Sequence, residues 1–410
     1  MAALLPFRAL RPRPADAPRI AAVPYDVVTT DEARRLAADN PLSFLRVSRP
    51  ELELPPGSDP YGAEVYARAA RNFAALRASS LELEGEPSLY VYRLRMGAHI
   101  QTGIAGCFPL DDYERDVIKK HERTRRDKED DRTRHMWALR AQTGPVFLTY
   151  RASPAVDARV AGVTSGRPLF DFTAVDGVQH TMWQVSGAGC DAIVAAFRDI
   201  RALYIADGHH RAASAARTRT ELRAAQTPTG DLGDGADYNS MLAVAFPHDQ
   251  VQVLPYHRVV KDLAGLSPDA FLRGVREVFA VSPGTATPEG PGRVSMYFQG
   301  RWHTLQPHVA PDPSDPIGSL DVSVLQDRLL APVLRIADVR SDPRIDFVGG
   351  IRGTGFLEDL VSQGRAAVAF SMCPVSVSDL ISVADAGAIM PPKSTWFEPK
   401  LRDGLLIHVI

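Results

Sequence analysis

Apolar residues recur along this chain in two rhythms. Runs or alternations of four to seven positions bounded by Gly, Pro or Asp predict strands, and recurrence every third or fourth position predicts helices. Ile20-Ala21-Ala22-Val23, leading into Pro24-Tyr25-Asp26-Val27, reads as a buried strand closing in a turn. Thr29 or Thr30 caps a helix over 31–38 that Asn40-Pro41 ends. Residues 44–47 read as another strand, and 61–83 carries Val65, Ala69, Phe73 and Leu76 at helical spacing. Strand patterns follow at 90–94, 102–108, 145–150, 203–206, 241–246 and 254–258. Helical ones lie at 191–198 and in the Ala-rich run after Gly208, which ends before Pro228-Thr229-Gly230. Residues 294–298 and 302–305 flank Gln299-Gly300-Arg301 as a hairpin. Further strands are expected at 345–348, 368–372 and 405–409. Pro55-Pro56-Gly57-Ser58 and 283–292 read as loops, and 307–318, with four prolines, as a linker.

Strands alternating with helices make the expected class α/β, grading into α+β. At 410 residues the chain exceeds one core. Three units are expected: an N-terminal α/β unit over 1–100, a middle domain over 101–262 and a C-terminal α/β unit over 263–410. A hydrophobic fraction of 45% and a charged fraction of 23% are those of a globular protein. A formal net charge of −2 argues against binding nucleic acid or an anionic membrane through the whole surface. Cys107, Cys190 and Cys373 are widely spaced with no CxxC, which suits a reducing compartment and excludes a cysteine zinc site. No apolar run reaches the ~18 residues that span a bilayer, and residues 1–7 are too short for a signal-peptide core. The expectation is a soluble, cytoplasmic protein without a nucleic-acid or membrane partner.

One stretch carries more chemistry than structure requires. A short apolar run, Leu203-Tyr204-Ile205-Ala206, ends in Asp207-Gly208, and His209-His210-Arg211 open the helix that follows. Gly208 permits a tight turn and close approach of another molecule. The first helical turn offers unpaired N–H groups and the positive end of a dipole, and Arg211 adds a donor fork, so an anion is the expected ligand. Asp207 beside an anion site repels the anion unless a cation or proton mediates, which points to a metal–phosphate group or a substrate amine.

Residues 111–135 hold nine Lys/Arg and nine Asp/Glu, a balance expected of a solvated helix face. Within that run His121-Glu122-Arg123-Thr124 lacks the histidine that a zinc-binding His-Glu-x-x-His needs, because position 125 is Arg125. Gly350-Ile351-Arg352-Gly353-Thr354-Gly355 lacks the Gly-Lys-Ser/Thr of a P-loop and reads as a glycine turn. Pro391-Pro392-Lys393-Ser394-Thr395 is a stiffened loop whose Lys393, Ser394 and Thr395, with Lys400 beyond it, offer donors to an anion.

Asp207-Gly208-His209-His210-Arg211 resembles the phosphate-binding turn of the ParB/sulfiredoxin superfamily, and above all that of its free L-serine kinases. Sulfiredoxins need a cysteine where this chain has His209. In the serine kinases a His-Glu-x-Thr-like segment precedes the turn and supplies the general base, and His121-Glu122-Arg123-Thr124 is similar to it. The whole chain also resembles the DUF1015 family, through Val23-Pro24-Tyr25-Asp26-Val27, Asn40-Pro41, Asp131-Arg132, the two site motifs and Met390-Pro391-Pro392-Lys393-Ser394-Thr395. The resemblance implies a ParB/sulfiredoxin-like mixed core with flanking α/β units, and a kinase making O-phospho-L-serine. Glu122 would be the base, with His121 and Asp207 catalytic beside it. Gly208, His209, His210, Arg211 and Thr124 would hold phosphate or nucleotide, joined by Lys393, Ser394 and Thr395. Asp207 would hold Mg²⁺, and ATP, ADP or pyrophosphate would serve as donor. The alternative is a ParB-like nucleotide-binding switch without kinase activity. A homodimer is left open.

Overall fold

The computed structural model of the chain describes residues 1–55, 57–225 and 237–410. Pro56 and the helix end expected at 228–230 therefore lie outside the described residues. The class is mixed α/β. Two units emerge, Met1–Val251 with Pro399–Ile410, and Gln252–Glu398.

The first unit is built on an eight-stranded sheet. From edge to edge it runs Ile118–Lys119, Leu203–Asp207, Val146–Tyr150, Ser240–Pro247, His99–Pro109, Leu89–Met96, Gln179–Val185 and Phe170–Thr173. Alternation sorts its side chains: Leu89 and Val91 join one core with Phe108, Phe197 and Leu203, while Tyr90 and Tyr92 take the opposite face. A second core gathers Ala33, Phe44, Val47, Phe73, Leu76 and Ile407. The break expected near 100 falls inside the antiparallel hairpin Leu89–Met96/His99–Pro109, whose strands share this sheet. The break expected at 262 falls after Tyr256–Val260, which already belongs to the second unit.

Two predicted strands do not form. Ala17–Ile20 is a single turn opened by Pro18, and Ala22 makes only an isolated bridge to Asp403. Residues 44–47 give the helix Leu45–Ser48 with Phe44, Leu45 and Val47 all buried, and an apolar run enclosed on every side has no periodicity to read. The cap at Thr29 is a capping box, its hydroxyl accepting from Glu32 N while Glu32 reaches back to Thr29 N. The charged run becomes the helix Leu110–Glu114, the strand Ile118–Lys119 and the helix Arg126–Leu139. Its second helix is no solvated rod, for Asp131, Thr133 and His135 are buried. Asp131 pairs with Arg132 at 2.7 Å and accepts from Tyr66 Oη at 3.0 Å, and His135 Nε2 donates to Val47 O at 2.8 Å.

The second unit carries a six-stranded antiparallel sheet in the order Phe279–Pro283, Arg301–Pro307, Val294–Phe298, Val368–Ser371, Tyr256–Val260 and Ile345–Gly349. Gln299 (φ 48°) and Gly300 (φ 76°) close the expected hairpin with the two positive φ values a type I′ turn requires. Val259, Val348, Leu357, Leu360 and Ala369 pack together in one core. The helix Asp321–Leu325 runs on into a π-helical turn, Gln326–Leu330. The proline-rich stretch 307–318 stays within this unit and joins no domains. Among the described residues no helix is long and apolar enough to cross a membrane.

Candidate functional site

Strand pairing assembles the site. Ile118–Lys119 runs parallel to Leu203–Asp207, with Leu203 opposite Ile118 and Tyr204 opposite Lys119. Parallel strands release their carboxyl ends on the same side of a sheet, the side where α/β sheets bind ligands. The loop holding His121 and Glu122 thus emerges beside the turn holding Gly208. Val146–Tyr150 is antiparallel to Leu203–Asp207, so its start, at Pro145, lies at the same end.

Gly208 sits at φ +95°, and a Cβ there would lie 3.1 Å from Cζ and Nε of Arg211. Gly208→Ala is therefore expected to cost about 1–3 kcal/mol through left-handed strain and crowding together, read as a lowered urea midpoint at unchanged slope. The helix His209–Ala225 starts at once. His209 is 6% exposed; its Nε2 accepts from His121 N at 3.5 Å and its ring meets the His121 ring edge-on, centroids 4.5 Å apart. Nitrogen or oxygen atoms of His121, Glu122 and His209 all lie within 4.8 Å of one another. His210 Nε2 accepts from Arg125 N at 3.0 Å, which fastens the two loops together. The Thr124 hydroxyl donates to Glu129 at 3.1 Å, within the structure rather than toward a ligand.

Arg211 departs from its expected role. It is 6% exposed, Nη1 donates to the Pro145 carbonyl, and Nη2 lies 3.7 Å from Asp207. The fork lies under Gly208 and braces the turn. Asp207 departs as well. Its carboxylate is 3.2 Å from Lys400 Nζ and 3.7 Å from Arg211, so two side-chain cations already flank the group expected to bind Mg²⁺. Burial opposes its ionisation, but Lys400 and then Arg211 prevail and hold its pKa well below the usual carboxylate range. The described residues do not fit Mg²⁺ at Asp207. The nitrogen-rich set His121, Glu122 and His209 suits a transition-series cation better than Mg²⁺, which prefers oxygen ligands. Burial lowers His121 to about 4 and takes His209 well below its ordinary value, so both rings are neutral at pH 7.

A layer of charge behind the turn had no assigned role in the sequence. Asp403 is 4% exposed, and a Cβ on Gly144 would collide with its carboxylate, so a side chain there would have to displace it. Burial pushes Asp403 up to about 7, against the pull of Arg211; Asp26 adds to the rise, and Arg132 and Arg402 oppose it. The guanidinium of Arg132 stacks over Tyr25 at 4.0 Å. Tyr25-Asp26 and Asp131-Arg132 stood among the resemblance motifs, so their presence was legible and their place was not. Asp403 had no local signal at all.

A raised carboxyl pKa favours the folded state only while the group is protonated. The contribution of Asp403 is complete below about pH 4 and is lost as pH climbs to about 7. Asp403→Asn should abolish that loss, so its stability advantage over the parent should grow by about 1.4 kcal/mol per pH unit across the window. Denaturant unfolding at pH 5, 6 and 7 measures it; equal curves for both proteins would refute the assignment.

Lys393, Ser394 and Thr395 belong to the second unit. Ser394 Oγ donates to Pro391 O at 2.7 Å, and Lys393, at φ 58°, accepts through its carbonyl from Arg258 at 3.1 Å. The glycine stretch forms a 3₁₀ turn, Gly350–Arg352, before the helix Gly355–Ser362.

Residues 4–323 match the family described as "Protein of unknown function (DUF1015)". No curated protein matches the chain. Among solved structures it is similar to a free serine kinase in complex with AMP, at 12% identity and a TM-score of 0.37 over 73% of this chain and 92% of that one. It is also similar to a conserved hypothetical protein from Pyrococcus furiosus (13%, 0.36, covering 74% and 94%). A third is a C-terminally truncated SbnI from Staphylococcus aureus (12%, 0.38, covering 73% and 85%). Likenesses this loose transfer no activity.

Proposed function

We propose that this chain, which belongs to the DUF1015 family, is a phosphotransferase that phosphorylates the hydroxyl of free L-serine. The observation that carries the reading is the position of Glu122, its carboxylate within 4.8 Å of His209 at the mouth of the Gly208 turn. A hydroxyl bound between them attacks the phosphorus of a donor held at the helix N-terminus. The new bond joins the serine oxygen to phosphorus, the bond to the donor's leaving oxygen breaks, and the hydroxyl proton passes to Glu122. The first-turn amides and Lys400 supply the positive field, while Arg211 and His210 keep turn and loop in register. Neutral His121 and His209 line the site without repelling Lys400. The motif resemblance supports serine as acceptor. ATP, ADP and pyrophosphate all offer the phosphate that such a turn accepts.

The experiment is a phosphoserine assay of the purified chain with L-serine and each donor in turn. Product with one donor supports the reading, and absence of product with all three overturns it. The His121–Glu122–His209 cluster favours a second reading, in which Glu122 is a ligand of a transition-series cation instead of a free base. Metal analysis of the purified chain separates the two: a stoichiometric bound cation, lost in His121→Ala, favours the second.

A further inference from the structure

Buried arginines in this protein follow a rule with one exception. Among the described residues Arg211 faces Asp207, Arg219 faces Asp111 and Glu114, and Arg402 faces Asp176. Arg258, 3% exposed in the strand Tyr256–Val260, faces no carboxylate. Its Nη1 donates to the Tyr256 carbonyl, its Nη2 to the Lys393 carbonyl, and its guanidinium lies 5.4 Å from the Phe347 ring centre. Carbonyls satisfy N–H groups but leave the charge unbalanced, and a buried unbalanced charge is costly. Burial accordingly lowers Arg258 to about 10, against the pull of Tyr256.

Arg258 lines a cavity of about 230 Å³ within the second unit, with Gln326, Leu330, Asp338, Arg340 and Pro392. Against the ≈ 30 Å³ share of one water in the liquid, that is room for a small organic acid. Two features of the wall point the same way. Gln326 and Leu330 are the two ends of the π-helical turn, a rare widening that recurs at functional sites. Gln326 Oε1 is buried with no donor among the described residues, although its amide nitrogen donates to Ile336 O. The stiff Pro391-Pro392 pair forms part of the same wall.

We propose that this cavity binds a small oxyanion, carboxylate or phosphate, whose charge balances Arg258 and whose remaining body carries a hydrogen-bond donor for Gln326 or Asp338. A molecule of amino-acid class has both ends. The site is independent of the Gly208 turn and stands whether or not that turn transfers phosphate.

Titration calorimetry on the full chain, with inorganic phosphate in one arm and L-serine in the other, tests it. The expected result is a binding event that survives in Gly208→Ala, which disturbs only the turn. The same event should weaken by at least about tenfold in Arg258→Met, the worth of a charge-assisted hydrogen bond. Ala337→Trp, which adds bulk at an exposed residue of the same cavity lining and leaves the Arg258 side chain in place, should remove it. Ala337→Trp also decides the matter if Arg258→Met does not fold. Which arm binds identifies the head group. No binding of either probe, or binding that Gly208→Ala abolishes and Ala337→Trp leaves intact, overturns the proposal.

Discussion

Glu122→Gln is expected to lower phosphoserine formation by roughly 10²–10⁴-fold, the usual worth of a positioned general base. Glutamine keeps the length and hydrogen-bonding reach of glutamate but cannot take the hydroxyl proton. On the proposed reading the donor is held by the first-turn amides and Lys400 rather than by Glu122, so calorimetry should find its binding within a few-fold of the parent. Rate and affinity must therefore separate. A nucleotide switch gives another pattern, because a conformational response to nucleotide does not require a proton acceptor at 122. An unchanged rate in Glu122→Gln would remove Glu122 from the chemistry. A concurrent loss of donor affinity would recast it as a cation ligand beside His121 and His209.

The largest loss of stability is expected behind the site, at Arg132. This side chain pairs with Asp131 at 2.7 Å, donates to Ser48 O at 3.4 Å and lies over Tyr25. Burial works against its charge, yet Asp131 and Tyr25 more than offset that and raise its pKa. Arg132→Ala leaves the buried Asp131 carboxylate with Tyr66 as its remaining side-chain partner. Breaking one half of a buried pair costs about 3–5 kcal/mol, seen as a reduced denaturant midpoint of the first unit. The neutral double variant Asp131→Asn with Arg132→Met should lose clearly less than the two single changes summed, because each single change strands the other charge. Additive losses would show that packing, not charge, makes Arg132 matter.

Both predictions depend on residues whose chemistry was legible and whose company was not. The Asp-Gly turn, the helix after it and the strand before it are local: Gly208 alone permits φ +95°, and the Ala-rich run favours a helix wherever it lies. Side-chain type at a strand-turn-helix named His209–Arg211, and the resemblance to the serine kinases named Glu122. A family-wide resemblance marked Tyr25-Asp26 and Asp131-Arg132 without giving them a place. The short apolar runs at 20–23 and 44–47 misled: Ile20 closes a one-turn helix and Ala22 makes a lone bridge, while at 44–47 the burial of Phe44, Leu45 and Val47 hides the period that tells strand from helix.

Sequence by itself thus determined the mixed α/β class, most strands of both sheets, and a turn built to meet an anion. Only tertiary structure decided which groups share that turn. A two-residue parallel pairing, Ile118–Lys119 on Leu203–Asp207, brings Glu122 to His209 across nearly ninety residues of chain. The return of Pro399–Ile410 to the first unit sets Lys400 on Asp207 and Asp403 behind Arg211. That return also redirected the charges. Lys400 and Arg211 hold Asp207, and Pro145 and Asp207 engage the two terminal nitrogens of Arg211, so both side chains are drawn into the fold. A side chain's type states what it can bind, and the partners within reach after folding decide what it does bind.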